Sequence, residues 1–169
     1  MLMTPVIGII MGSDSDLNIM GAAAKQLKEF DIPFEIDICS AHRSPARASK
    51  YAKTADSRGL KCIIAGAGGA AHLAGVVAAE TILPVIGVPV DSSPLQGFDA
   101  LLATVQMPGG VPVATMAVGK AGALNAAIFA AQIIATSDKT VAEKITNYKQ
   151  ELANKIEKKS AQVKATFSV

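Results

Sequence analysis

The stretch LKCIIAGAGGAAHLAGVVAAET, residues 60–81, contains the pattern that decides the fold. Residues 60–68 form a short apolar run bounded by a glycine-rich turn, which is typical of a buried strand. Residues 70–81 then have the composition of a short helix. A buried strand that leads through a tight turn into a helix is the repeating unit of a parallel α/β sheet.

The same unit recurs on both sides of this stretch. We predict further strands at 6–12, 32–41, 83–90 and 111–119, and further helices at 15–30, 44–59, 98–107 and 121–135. The strands are largely apolar, as expected where helices cover both faces of the sheet. Five units predict an α/β protein with a flavodoxin-like, three-layer α/β/α fold around a parallel five-stranded sheet. We expect a single domain over residues 1–169.

The tail predicts one amphipathic helix beyond these five units, at about residues 139–163. Its apolar residues recur at helical spacing: Val141, Ile145, Tyr148, Leu152 and Ile156. Seven lysines and three glutamates from residue 139 onward give the tail a charge of +4 and leave −2 for the rest of the chain. The helix can pack on its own domain or on a neighbouring subunit, and the sequence leaves both open.

Composition argues against several classes of protein. Half of the residues are hydrophobic, 18% are charged and tryptophan is absent, so nothing indicates nucleic-acid binding. Glycine, proline and polar residues interrupt every long apolar run, so no membrane-spanning helix is expected. The opening residues lack a basic region, which favours a first strand over a signal peptide. Cys39 and Cys62 lie in apolar runs without metal-ligand spacing, which predicts buried thiols in a reducing, cytoplasmic compartment.

Polar and glycine-rich loops follow the predicted strands. Ligands of doubly wound sheets bind beyond the carboxyl ends of the strands, so these loops should share one edge. The loops are MGSDSD (11–16), CSAHRS (39–44), GAGGAAH (66–72), VPVDSS (88–93) and VGKAG (118–122). The two histidines of the chain, His42 and His72, lie in the second and third loops.

The first loop predicts either a helix cap or an anion site. The hydroxyls of Ser13 and Ser15 can cap exposed N–H groups at the start of the helix. The same N–H groups, together with the helix dipole, attract phosphate. Asp14 and Asp16 would repel several directly bound phosphates, so an aspartate here is better suited to accept hydrogen bonds from ribose hydroxyls.

The second loop carries the side chains best suited to phosphate binding and proton transfer. Arg43 offers a forked donor that matches phosphate, and Ser40 and Ser44 add hydroxyls. His42 is either a neutral structural histidine or a group that moves one proton near neutral pH. The two histidines have too few companion ligands to indicate a zinc site.

The later loops offer backbone groups and one unexplained cation. Gly66, Gly68 and Gly69 allow the chain to approach a ligand closely, although a GxGxxG pattern is absent. Lys120 stands at a predicted helix N-terminus, where the helix dipole disfavours a cation. Either a carboxylate from a neighbouring subunit or an anionic ligand should compensate it.

Taken together and in order, five segments resemble those of class I N5-carboxyaminoimidazole ribonucleotide mutases. The segments are MGSDSD (11–16), SAHRSP (40–45), AGAGGAAHLAG (65–75), PVIGVPV (84–90) and QMPGGVPVATMAVGKAGALNAA (106–127). The resemblance covers residues from about 6 to 136, and the tail shares only length and helical character. It implies an isomerase of purine biosynthesis that uses no metal, ATP or organic cofactor.

The resemblance also implies roles for residues at matching positions. His42 would be the general acid/base, Arg43 a phosphate ligand and Asp16 a ribose ligand. The Gly68–Gly69 backbone and the His72–Leu73 segment would shape the pocket around the carboxylate. The implied substrate-binding residues are Gly12, Ser13, Asp16, Ser40, Ala41, Arg43, Gly68, Gly69, His72 and Leu73. The implied partners are a small ribonucleotide substrate and the other subunits of a homo-octamer.

Two departures and two alternatives accompany this resemblance. Ala74 stands where many relatives have proline, and Ser44 replaces a common threonine while keeping the hydroxyl. The related enzymes that carboxylate aminoimidazole ribonucleotide directly with CO2 have lysine at the Arg43 position and lack GAGGAAHL, which disfavours that activity. A flavodoxin-like module that binds a nucleotide or flavin without chemistry is the alternative from another class. The scarcity of tryptophan and tyrosine counts against a flavin.

Overall fold

The computed structural model describes residues 4–167. Their strands form one parallel sheet in the order β2-β1-β3-β4-β5. The strands are β1 (Ile7–Met11), β2 (Phe34–Ile38), β3 (Cys62–Gly68), β4 (Val85–Val90) and β5 (Ala114–Thr115). The helices are α1 (Leu17–Glu29), α2 (Pro45–Ala55), α3 (Leu73–Glu80), α4 (Phe98–Val105), α5 (Lys120–Ala135) and α6 (Lys139–Phe167), and a 3-10 turn over Asp14–Asp16 precedes α1. This strand order confirms the predicted flavodoxin-like fold.

Helices cover both faces of the sheet, so alternate residues of each strand are buried against different helices. Ile7, Ile9 and Met11 of β1 pack in a core with α1 and α5. Ile10 of the same strand packs in a second core with α2 and α3. All five residues of β1 are buried. The strands are therefore apolar along nearly their whole length because helices cover both faces of the sheet, as predicted.

Several elements are shorter than the sequence pattern predicts, including β2, predicted over 32–41, and α2, predicted over 44–59. Two further differences have a local cause. The fifth strand, predicted over 111–119, has regular pairing only at Ala114–Thr115. Pro112 has no N–H to donate to the ladder, although backbone bonds from Met116 and Gly119 to β4 continue the contact irregularly. The third helix begins at Leu73 instead of residue 70, because the chain first turns through Gly69 at a positive φ of 61°.

The tail helix α6 packs on its own domain only over its first third. Val141 and Ile145 are buried, and Tyr148 meets Phe30 edge to face with ring centroids 5.3 Å apart. Lys144 Nζ donates to the backbone oxygen of Phe30 at 2.7 Å. From residue 149 to 167 every residue is exposed. The helix also continues about one turn beyond the predicted end at residue 163.

Two helical glycines should respond to alanine in opposite directions. A Cβ at Gly122 of α5 would overlap the backbone oxygen of Ala117, whereas a Cβ at Gly21 of α1 would meet nothing within 4 Å. We expect Gly122→Ala to lower the free energy of unfolding by about 1–3 kcal/mol, as overpacking does. Gly21→Ala should raise it by about 0.5–1 kcal/mol through helix propensity. Urea unfolding of both variants measures this, and stabilisation by Gly122→Ala would contradict the packing described.

Candidate active site

A cavity of about 290 Å³ lies at the carboxyl ends of the first four strands. The loops after β1, β2, β3 and β4 all contribute to its walls. The residues that line it are Gly12, Ser13, Ser15, Asp16, Ser40, Ala41, His42, Arg43, Ala67, Gly68, Ala70, His72, Leu73 and Ser92. The cavity thus brings together His42 and every substrate-binding residue implied by the family resemblance except Gly69, which is adjacent to the lining but not part of it. The candidates Ser44, Gly66 and Lys120 also lie outside the lining.

The loop after β1 is held by a capping box. The backbone N–H of Ser13 donates to Asp16 Oδ2 at 3.0 Å, and Ser13 Oγ accepts from the backbone of Ser15 at 3.4 Å. Asp16 is only 4% exposed. Burial raises the pKa of its carboxyl group, while the Ser13 N–H and the nearby Arg43 charge act in the opposite direction. Capping and a ligand-facing carboxylate therefore coexist in this loop.

Asp16→Asn should be at least as stable as the parent protein near pH 7. Because the folded-state pKa of Asp16 is raised, ionisation of this carboxylate costs folding free energy at neutral pH, and protonation removes that cost. The amide oxygen can still accept the Ser13 N–H. The stability advantage of Asp16→Asn should shrink as the pH falls toward 3.8, the ordinary value for an aspartate. Thermal unfolding at neutral and acidic pH measures this, and a large loss of stability at pH 7 would contradict it.

Arg43 ties the loop after β2 to the loop after β1. Its Nη2 donates to the backbone oxygen of Gly12 at 2.8 Å, and its Nε lies 3.4 Å from Ser40 Oγ. The Arg43 backbone N–H donates to the same Ser40 hydroxyl at 3.1 Å. Among the lining residues within 4–167, Arg43 is the one permanent cation. These contacts hold the guanidinium at the edge of the cavity, where an anionic group can reach its remaining donors.

The two histidines contact each other directly. His42 Nε2 and His72 Nδ1 are 2.8 Å apart, and their rings meet edge to face at an interplanar angle of 81°. One of these nitrogens must donate and the other accept, so the pair cannot keep this hydrogen bond with both rings fully protonated. His42 Nδ1 is the ring nitrogen left for a ligand while the bond persists.

Small residues form the rest of the wall. A Cβ added to Gly68 would overlap the Ser92 hydroxyl and crowd the backbone oxygen of Val90, so a side chain here would displace the hydroxyl from its present position. Leu73, at the start of α3, is buried beneath the loop that carries His72. Ala41, Ala67 and Ala70 add methyl groups to the lining.

Four lining residues are not among the substrate-binding residues implied by the sequence: Ser15, Ala67, Ala70 and Ser92. Ser15 was predicted only as a helix cap or part of an anion site. Ser92 had a detectable signal, since its loop follows β4 at the predicted edge. The loop after β5 was also expected at this edge, but its Lys120 is exposed and outside the lining. Lys120 forms no ion pair within 4 Å in the described part of the chain. The group that balances its positive charge, a carboxylate of another subunit or an anionic ligand, therefore stays open.

Two other features bear on ligands and membranes. Within residues 4–167, no three histidine, cysteine, aspartate or glutamate side chains are grouped as a metal site requires. No helix in the same range is both long and apolar enough to cross a bilayer.

Cys39 and Cys62 are free and buried, as predicted. Burial raises the pKa of the Cys62 thiol to about 12.

Comparison with known proteins assigns this chain to a family. The sequence profile of the family described as AIR carboxylase matches residues 6–155. The chain belongs to this family. That membership confirms the resemblance inferred from the five sequence segments.

Individual relatives agree with the family assignment. The N5-carboxyaminoimidazole ribonucleotide mutase of Bacillus subtilis strain 168 is 57% identical over 143 residues, covering 85% of this chain and 88% of that protein. The phosphoribosylaminoimidazole carboxylase of Candida albicans is 59% identical over 135 residues, which are only 23% of that longer protein. A crystal structure of Treponema denticola PurE superposes with a TM-score of 0.85 at 30% identity, covering 95% of this chain and 99% of that one.

Proposed function

We propose that this chain is an N5-carboxyaminoimidazole ribonucleotide mutase, an isomerase of purine biosynthesis. One observation carries the proposal: a single cavity holds a forked cation, Arg43, a buried carboxylate, Asp16, and an imidazole, His42. These groups match the phosphate, the ribose and the reacting ring of a ribonucleotide. The Bacillus subtilis relative, matched over most of both chains, bears this name and supports the same activity.

The reaction moves a carboxylate from N5 to C4 of the aminoimidazole ring. First, the N5–C bond of the carbamate breaks, its electron pair stays on N5, and His42 donates a proton there, which leaves CO2 and aminoimidazole ribonucleotide. Second, C4 forms a bond to the carbon of CO2, and His42 removes the C4 proton to restore the aromatic ring. His42 gives one proton and regains one, so no other reactant is consumed.

The cavity supports this chemistry by positioning and containment. Arg43 and Asp16 would fix the phosphate and ribose, so that the ring meets His42 in one orientation. The alanine and glycine wall leaves an uncharged space for CO2 between its release and its recapture. Escape of CO2 would waste the intermediate, so exclusion of water and retention of CO2 would both contribute to turnover.

An absorbance assay tests the proposal. The purified protein is mixed with N5-carboxyaminoimidazole ribonucleotide in the presence of a metal chelator and without ATP or bicarbonate. We expect conversion to 4-carboxy-5-aminoimidazole ribonucleotide. Failure of the folded protein to convert this substrate would contradict the proposed function.

Direct carboxylation is the second candidate, because the Candida albicans relative bears the name of a carboxylase. The chain spans under a quarter of that protein, whereas it spans most of the Bacillus subtilis mutase. The same assay distinguishes the two activities. Product formed only from the decarboxylated nucleotide with added bicarbonate would assign the carboxylase activity.

We also propose a homo-octamer with sites near subunit contacts. Apolar side chains lie exposed on α4 and α6, among them Phe98 at 61%, Val105 at 48% and Ile156 at 66% exposure. Exposed apolar patches on soluble proteins often mark protein–protein interfaces, so these two helices are candidate subunit contacts. Light scattering should give eight times the 17.3-kDa mass of one chain, and a monomer mass would contradict the octamer.

We propose a cytoplasmic location. The two free, buried thiols Cys39 and Cys62 fit a reducing compartment, and a purine-biosynthesis substrate would be met there. Fractionation of cells that express the chain tests this, and recovery outside the cytoplasm would contradict it.

A further inference from the structure

We propose that the Ser92 hydroxyl binds the migrating carboxylate and the CO2 released from it. The inference rests on the proposed mutase function and extends its site to the loop after β4. Ser92 lines the cavity next to Gly68, the last residue of β3. The assignment depends on three features: a free hydroxyl, its place along the sheet edge and its lack of charge.

The Ser92 hydroxyl has no hydrogen-bond partner within residues 4–167, and its residue is exposed to the cavity. The neighbouring Ser93 differs in this respect. Ser93 Oγ donates to Asp99 Oδ1 at 2.9 Å and accepts from the Leu95 backbone at 3.2 Å. Of the two adjacent serines, one therefore orders the loop and the other has its hydroxyl available for a ligand.

The position of Ser92 fits the carboxylate end of the substrate. Arg43 joins the loops after β2 and β1, whereas Ser92 packs over Gly68, at the end of β3, from the loop after β4. In the sheet order, β2 and β4 are three strand spacings apart, which is about 14 Å. A ribonucleotide whose phosphate lies at Arg43 would extend along this edge and bring its ring toward His72 and Ser92.

A neutral donor is the right kind of group for a carboxylate that must leave as CO2. A cation would stabilise the carboxylate more than neutral CO2 and would oppose breaking of the N5–C bond. A hydroxyl can donate to the carboxylate and still contact CO2 after the bond breaks. Gly68 supports this arrangement, since any side chain there would occupy the position of the Ser92 hydroxyl.

The test compares Ser92→Ala with Ser93→Ala as a matched control. For each variant, the carboxylated product and the free aminoimidazole ribonucleotide are quantified from the same carbamate substrate. Ser92→Ala should lower kcat/KM about tenfold, as expected for loss of one hydrogen bond. It should also raise the fraction released as decarboxylated nucleotide several-fold. Ser92→Cys, which keeps the shape but donates weakly, should fall between alanine and serine.

Ser93→Ala should reduce the stability of the loop and keep the parental product ratio. In titration calorimetry, Ser92→Ala should weaken binding of the carboxylated product and leave binding of the decarboxylated nucleotide unchanged. A parental product ratio and parental affinity in Ser92→Ala would overturn this inference while the mutase function stands. Absence of interconversion in the parent protein would overturn the proposed function and this inference with it.

Discussion

His42→Asn should lower kcat for interconversion of the two carboxylated ribonucleotides by about 10²–10⁴-fold, which is the rate enhancement that a positioned acid/base supplies. Asparagine can neither deliver a proton to N5 nor remove one from C4. Its amide keeps a polar group of similar size in an exposed loop. The fold and the substrate affinity should therefore persist. Rapid-mixing kinetics with the carbamate substrate measures kcat, and calorimetry measures the affinity.

His72→Asn is the matched control for this experiment. His72 contacts His42 Nε2 from the loop after β3 but, in this mechanism, transfers no proton to the substrate. We expect a smaller loss of kcat, because only the hydrogen bond that orients His42 and the shape of the pocket change. Near-parental turnover in His42→Asn would overturn the proton-carrier role. Equal losses in both variants would show that the two histidines act as one unit.

Arg43→Ala should raise KM by about 10- to 150-fold with little change in kcat, the effect of losing a charge-assisted hydrogen bond of about 1.5–3 kcal/mol. The phosphate keeps its charge throughout the reaction. Its binding therefore stabilises substrate and transition state to a similar extent, so its loss should change KM much more than kcat. Steady-state kinetics over a wide range of substrate concentration separates the two parameters.

Arg47→Ala provides the control, because Arg47 lies at the start of α2, directly after the loop that carries Arg43. Arg47 pairs with Asp37 through two contacts of 2.6 and 2.7 Å and lies outside the cavity lining. Its loss should leave KM unchanged. Arg43→Lys keeps the charge but loses the forked geometry, so its KM should fall between those of the parent and Arg43→Ala. A large fall in kcat with constant KM in Arg43→Ala would contradict phosphate binding by this residue.

The fold could be predicted from sequence because every unit repeats the same local pattern. Apolar runs such as 6–12 and 60–68 are too short for helices and are followed by turn residues, so they are predicted as strands. Boundaries were harder. The strand predicted over 111–119 shrank to two residues because Pro112 interrupts regular pairing, a local effect that the apolar pattern conceals. The late start of α3 depends on a backbone turn at Gly69.

The candidate site was predictable as far as topology places loops together. The rule that ligands lie beyond the strand ends predicts that His42, Arg43 and Asp16 share one edge of the sheet. Direct contact between His42 and His72 was not predictable, since it depends on side-chain directions in two separate loops. The proposed role of Ser92 was hidden for a similar reason. Ser92 and Ser93 are adjacent serines, and they are distinguished by their hydrogen-bond partners and by the cavity, which only Ser92 of the two lines.

The central claim is that one cavity releases CO2 from N5 and recaptures the same molecule at C4. It is tested most directly with substrate that carries carbon-13 in its carbamate, incubated with the protein in excess unlabelled bicarbonate. Mass spectrometry of the first product formed should show carbon-13 at the C4 carboxylate in nearly every molecule. Product that carries mainly unlabelled carbon would contradict the account, because CO2 would then have left the cavity before the new bond formed.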